Sequence, residues 1–88
     1  MFPEQIEKKL SHIIQSQFFI HGEEDEKFGH RPVLLIEGRA IESLAMMLEG
    51  KLDKIEMPEK IYELKKFLYT ETGKIRRKAT FDLLKQQQ

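Results

Sequence analysis

Cysteine is absent from the 88 residues, so neither a disulfide framework nor a thiolate metal site is available, a composition compatible with the cytosol. Net charge is absent as well: fifteen Lys and Arg balance fifteen Asp and Glu, leaving no overall field to recruit nucleic acid or an anionic membrane. No stretch approaches the ~20 apolar residues of a membrane span, and the N-terminus has a polar helical pattern in place of the apolar core of a signal peptide. Internal repeats and low-complexity linkers are missing too. The chain therefore reads as soluble, and the cytoplasm is its expected location. Its length and 40% hydrophobic content fit a single small domain over residues 1–88, with a modest core and no room for a deep substrate cavity.

The apolar positions predict an α+β order. Ile6, Leu10, Ile13 and Ile14 recur at helical spacing behind Pro3, with Glu4 and Glu7 near the positive end, which predicts a helix over about 3–15. Gln17 to His21 is aromatic and branched and stops at Gly22, as a strand does. The acidic run Glu23 to Lys27, flanked by Gly22 and Gly29, reads as a loop. Pro32 to Glu37 is nearly continuous in apolar residues, which marks a central strand covered on both faces. Ile41, Leu44, Ala45 and Leu48 form a helical stripe over 40–49, closed by Gly50. Lys60 to Leu64 reads as a third strand, Thr80 to Lys85 as a final helix, and Gln86 to Gln88 as a frayed tail. The expected architecture is a small three-stranded sheet packed with about three helices.

The segment Thr70-Glu71-Thr72-Gly73-Lys74-Ile75-Arg76-Arg77-Lys78 concentrates the chemistry. It places Lys74 directly after a glycine that can take positive φ, with threonines restricting the approach, so a compact ammonium on a long stem is held at the tip of a turn. Opposite in character is Glu23 to Glu26, so the chain is dipolar. The remaining candidate groups point nowhere. His12, His21 and His30 lack i, i+4 spacing and a cysteine partner, and the acidic run lacks the alternating ligands and central glycine of a calcium loop. Ser11, Ser16 and Ser43 have no base set against them.

TETGKIRR resembles the C-terminal signature of the AMP-forming acyl-CoA synthetase superfamily, the adenylate-forming ligases, which runs roughly Pro-x-Thr-x-(Ser/Thr)-Gly-Lys-Ile-x-Arg. Three further segments follow in the family's order. Phe2-Pro3-Glu4-Gln5-Ile6-Glu7 resembles the Pro-x-Glu-Ile-Glu that opens its small C-terminal domain, and Gly22 to Pro32 resembles its Gly-x-Pro-Asp-x-x-(Trp/Phe)-Gly-Glu loop, with Phe28 at the aromatic position. Met57-Pro58-Glu59-Lys60-Ile61 resembles the Lys-x-Pro-x-x-Ile before the lysine strand. The departures are Leu68 and Glu24 where the family has proline, and His30 where it has glutamate. Residues 2–7 and the compact ending also resemble the O-succinylbenzoate–CoA ligases of menaquinone synthesis.

The resemblance implies an excised C-terminal domain beginning at Met1, part of an ATP-dependent acid–thiol ligase. Lys74 is its implied catalytic residue, and Thr72, Gly73 and Arg76 its implied substrate or cofactor contacts. ATP/AMP, a carboxylic acid and coenzyme A are the implied small-molecule partners. The N-terminal adenylation domain of the same chain is the implied protein partner, and it would hold Mg2+ with ATP. No metal site, nucleic acid or membrane is expected in these residues. The rival reading is a small phosphate- or nucleic-acid-binding module using Lys74 to Lys78, with Tyr62 and Tyr69 as stacking platforms. A titration with single-stranded DNA at two salt concentrations separates the two: tight binding that weakens steeply with salt belongs to the rival.

Overall fold

A computed structural model describes residues 2–27 and 29–86. Phe28 of the resembled loop and Gln87 and Gln88 of the expected tail lie outside the described residues, as does Met1. The elements are α1 (Pro3–Leu10), β1 (Phe18–Asp25), β2 (Gly29–Glu37), α2 (Leu44–Glu49), β3 (Ile61–Leu64) and α3 (Arg77–Gln86). One mixed sheet has the order β1-β2-β3, with β1 antiparallel and β3 parallel to β2. A parallel neighbour cannot be reached by a tight turn, and the segment carrying α2 supplies the crossover from β2 to β3.

Alternation along β2 divides the interior. Leu34 and Ile36 face α1 and α2, packing with Ile6, Leu10, Ile20, Leu44 and Leu48. Val33 and Leu35 face the other way, packing with Phe19, Leu64, Phe67 and Leu84. Successive side chains of a strand point to opposite faces, so a run buried on both sides loses the polar alternation of a surface strand. On the second face Phe19 and Phe67 meet edge to face, with centroids 5.2 Å apart and an interplanar angle of 68°. Pro32 costs the ladder nothing: Leu34 donates its N–H toward β3, to Lys60 O, and the like-oriented position at Pro32 lies before β3 begins.

Element order matches the sequence expectation, and the ends differ for identifiable reasons. The first helix stops at Leu10, not near residue 15, because Ser11 Oγ turns back to Lys8 O at 2.9 Å and residues 11–13 form a turn that buries Ile14 before β1. The second helix starts at Leu44, not Ala40: the Ala40 N–H goes to Glu63 Oε2 at 2.6 Å, and residues 42 and 43 form a turn ahead of the helix. Ile41 and Ala45, expected on the buried stripe, are exposed. Gly50 does close α2, but at φ −85°, a conformation open to any residue. The acidic run is only partly a loop: β1 continues to Asp25, with Glu23 opposite Arg31 and Glu24 opposite His30, and the turn begins at Glu26. An edge strand tolerates such residues because one side faces water, and Glu23 is further held by Lys85 Nζ at 3.1 Å and Tyr62 Oη at 3.3 Å.

Glu7 ties three elements together. Its Oε2 accepts the Ile20 N–H of β1 at 2.8 Å, and its two oxygens receive Arg77 Nη1 and Nη2 of α3 at 2.6 and 2.7 Å. The Glu7 side chain retains only 15% exposure, so losing it strands a backbone donor at the sheet edge along with a guanidinium. An exposed ion pair is worth little, whereas an unmet buried donor costs about 1–3 kcal/mol. Glu7→Ala should therefore destabilise the chain by about 1–3 kcal/mol, read as a lower urea midpoint with an unchanged m value. A midpoint within error of the parent's would show that the pair is solvent-screened decoration.

Candidate functional site

The lysine segment folds as a small hairpin. Tyr69 and Ile75 form an antiparallel bridge, Thr70 N–H donates to Lys74 O at 2.8 Å, and Arg76 N–H donates to Leu68 O at 2.8 Å. Between them Gly73 N–H closes back on Thr70 O at 3.0 Å, and Gly73 sits at φ +87°. This is the pattern of a three-residue hairpin loop, a turn followed by one left-handed residue, and it explains why glycine precedes the lysine. Threonine completes the tip: Thr70 Oγ1 accepts the Lys74 N–H at 3.1 Å and lies 3.0 Å from Thr72 Oγ1. The side-chain stem of Lys74 thus leaves a backbone fixed on both sides.

Thr72, Gly73, Lys74 and Arg76 are all exposed: Thr72 and Gly73 lie in the hairpin loop, Lys74 directly after it, and Arg76 at the hairpin's base beside Leu68. Among the described residues, Lys74 has no side-chain hydrogen-bond or ion-pair partner. The basic cluster beyond it is divided in use. Arg77, at the position of the final arginine in the resembled pattern, is clamped by Glu7 and lies over the Phe19 ring at 5.8 Å, so it serves packing. Lys78 instead lines a shallow cleft with His21, His30, Phe81 and Lys85. There His21 stacks on Phe81 at 4.1 Å, and burial pushes its imidazole below the usual range. No group of three or more His, Cys, Asp or Glu among the described residues is arranged to hold a metal ion. None of the described helices is long and apolar enough to cross a membrane.

Three hydrogen bonds under the hairpin were not foreseen. Glu37, the last residue of β2, accepts at one oxygen both the Phe67 N–H at 2.9 Å and the Tyr69 hydroxyl at 2.7 Å. From the other side, Leu68 N–H donates to Thr80 Oγ1 of α3 at 3.1 Å, and Thr80 is fully buried. Leu68 stands where the resembled pattern has proline, so this chain uses a donor that proline lacks. Parity was the available signal for Glu37: it shares a face with Val33 and Leu35, so a carboxylate there must find donors on the second face. Tyr62 and Tyr69 are not free stacking platforms, since their hydroxyls are bound to Glu23 and Glu37.

Neither a family model nor a curated protein matches the chain. Solved structures do. An acyl-CoA synthetase (AMP-forming)/AMP-acid ligase II-like protein from Dyadobacter fermentans superposes with a TM-score of 0.84 at 32% identity, over 96% of this chain and 27% of that one. The fold and the lysine hairpin together define a class: the chain fits the C-terminal domain of the AMP-forming acyl-CoA synthetases. Within that class, E. coli MenE with bound OSB-AMS gives a TM-score of 0.74 at 27% identity, over 100% of this chain and 20% of that one. The o-succinylbenzoate CoA synthetase MenE of Bacillus subtilis, bound with its product analogue OSB-NCoA, gives 0.76 at 23% identity, over 93% and 18%, a likeness of fold alone. The chain thus spans about a quarter or less of the solved chains it matches.

The hairpin anchor has a pH signature. The Tyr69 phenol is raised from its ordinary 10.0 to about 12, first by burial and then by its bond to Glu37. Glu37 is held below its ordinary 4.5, chiefly by the Phe67 N–H and next by the Tyr69 hydroxyl. A raised folded-state pKa means that Tyr69's contribution is complete below pH 10.0 and is lost as pH rises through about 12. Glu37 has the opposite sign: its contribution is present above pH 4.5 and is lost as pH falls through its depressed folded value. Tyr69→Phe should flatten the alkaline limb of a urea-midpoint profile, and an unchanged alkaline limb would contradict the assignment.

Proposed function

We propose that these 88 residues form one domain of a longer cytoplasmic chain, an ATP-dependent acid–thiol ligase, and that Lys74 is its mobile cationic group. In the first half-reaction a carboxylate oxygen attacks the α-phosphorus of ATP, giving acyl-adenylate and pyrophosphate. In the second a thiol, that of coenzyme A, attacks the acyl carbon and releases AMP. Both reactants of the first step are anionic, and charge accumulates on the phosphoryl oxygens in its transition state. A positioned ammonium acts most strongly there, and removing one such electrostatic partner typically costs about 10²- to 10³-fold in rate.

The observation that carries this reading is an exposed lysine without a side-chain partner among the described residues, projected from a hairpin whose backbone is hydrogen-bonded on both sides. Thr72 and Gly73 in the loop and Arg76 at the hairpin's base are assigned to substrate contact, with Mg2+ entering bound to ATP in the N-terminal adenylation domain. After adenylation the domain turns, and a different face completes the thiol site. The likeness to E. coli MenE at 27% identity supports O-succinylbenzoate as the acid, and with it a place in menaquinone synthesis. Use of the hairpin as a nucleic-acid module is not favoured, because Arg77 and both tyrosine hydroxyls are committed within the fold.

Lys74→Ala in the full-length ligase should abolish adenylate formation, while thioester formation from supplied acyl-adenylate stays near the parent rate. Being at an exposed site, the substitution should alter stability by no more than roughly 0.5 kcal/mol. Equal loss of both half-reactions would remove the assigned role. The 88 residues alone should fold and release no pyrophosphate from ATP with any of a panel of carboxylic acids. Turnover by the isolated domain would place the nucleotide site within it and overturn the division of labour.

A further inference from the structure

We propose that Glu37 is a positioning residue for Lys74: its carboxylate, at the end of the central strand, grips Phe67 N–H and Tyr69 Oη and so fixes where the lysine hairpin stands on the sheet. The inference rests on the reading of Lys74 as the group that acts in adenylation.

The chain of connections is short. Glu37 lies on β2, the strand paired on both sides and least free to move. Its single oxygen Oε2 receives a backbone donor from Phe67 and a phenol from Tyr69. Tyr69 is one half of the bridge with Ile75, and Ile75 adjoins Lys74. The hairpin has few other supports. Leu68 N–H is held by Thr80 Oγ1, and Tyr69 and Ile75 pack half-buried against the second core, whereas residues 70–74 are all exposed. The Thr80 bond fixes the hairpin to α3 and the Glu37 bonds fix it to the sheet, so both are needed to set its tilt. A bond to a charged acceptor is stronger than a neutral one, and Glu37 remains ionised where most carboxylates begin to protonate. Lys66 is the charged group that reinforces this.

A merely structural carboxylate and a positioning one predict different data. Three substitutions distinguish them: Glu37→Ala removes the acceptor, Glu37→Gln keeps an acceptor oxygen without the charge, and Tyr69→Phe removes only the phenol oxygen. In the 88-residue chain, amide hydrogen exchange should quicken about tenfold at Thr70, Gly73, Lys74 and Arg76 for Glu37→Ala and Tyr69→Phe, while the β1–β2 ladder keeps its protection. Glu37→Gln should restore most of that protection, and the Glu37→Ala/Tyr69→Phe double variant should add little to either single one. In the full-length ligase the same two variants should slow adenylation by about tenfold, with thioester formation from supplied acyl-adenylate unchanged.

Lys74→Ala, run alongside, separates this inference from the reading beneath it. If Lys74→Ala leaves adenylation intact, the proposed function fails. If Lys74→Ala loses adenylation while Tyr69→Phe and Glu37→Ala retain the parent rate, the positioning role fails alone. It fails equally if hairpin exchange is unmoved, or if protection is lost evenly across the sheet.

Discussion

A three-stranded sheet in a chain this short has to be covered on both faces, and the double burial of β2 is the constraint from which the rest follows. Val33, Leu34, Leu35 and Ile36 are each no more than 2% exposed. At roughly 1.5–3 kcal/mol per fully buried aliphatic side chain, this one strand supplies a large share of the hydrophobic driving force. Its neighbours must then be amphipathic in opposite senses: α1 and α2 close one face, and α3 with the lysine hairpin closes the other. A site carried on the second layer inherits its position from the core beneath it.

Charge follows a similar division. The neutral total conceals pairings across elements, Lys9 with Glu56, Glu7 with Arg77 and Lys85 with Glu23, each bringing together segments far apart in sequence. The Lys9 bond to Glu56 raises the lysine's pKa, as the Glu23 bond does for Lys85. Lysines spent in this way brace the fold at its periphery. Among the described residues Lys74 is left out of the pairing, and a cation with no counter-ion among them keeps its field for whatever is brought against the hairpin.

How much of this could be read in advance depended on the range of the interaction concerned. The apolar run at Pro32 to Glu37 announced a central strand because burial on both faces leaves a compositional mark. Gly73 announced the hairpin loop because a left-handed residue has few substitutes. Element ends were another matter. Ala40 is bound by Glu63, a residue 23 positions away, and the extension of β1 to Asp25 depends on its register with β2. Neither is encoded in local propensity, which is why an acidic run beside Gly22 resembled a loop. The four proposed site residues belong to one motif of the sequence, yet what holds their hairpin, Glu37 below and Thr80 beside, is contributed by elements that only the fold brings near.

The Glu7–Arg77 clasp has a bearing on how the chain is made. It joins residues 70 positions apart, so nearly the whole of this domain must exist before it can close. During vectorial synthesis, α1, β1 and β2 are complete while α3 is still unmade, and Phe19, Val33 and Leu35 then have nothing over them on the second face. In that interval the β1 edge has Glu7 as a guard but lacks the guanidinium that later fixes Glu7 in place. Exposed apolar surface beside an open strand edge is the form most exposed to aggregation. The arrival of α3 is thus what ends the need of this domain's second face for protection.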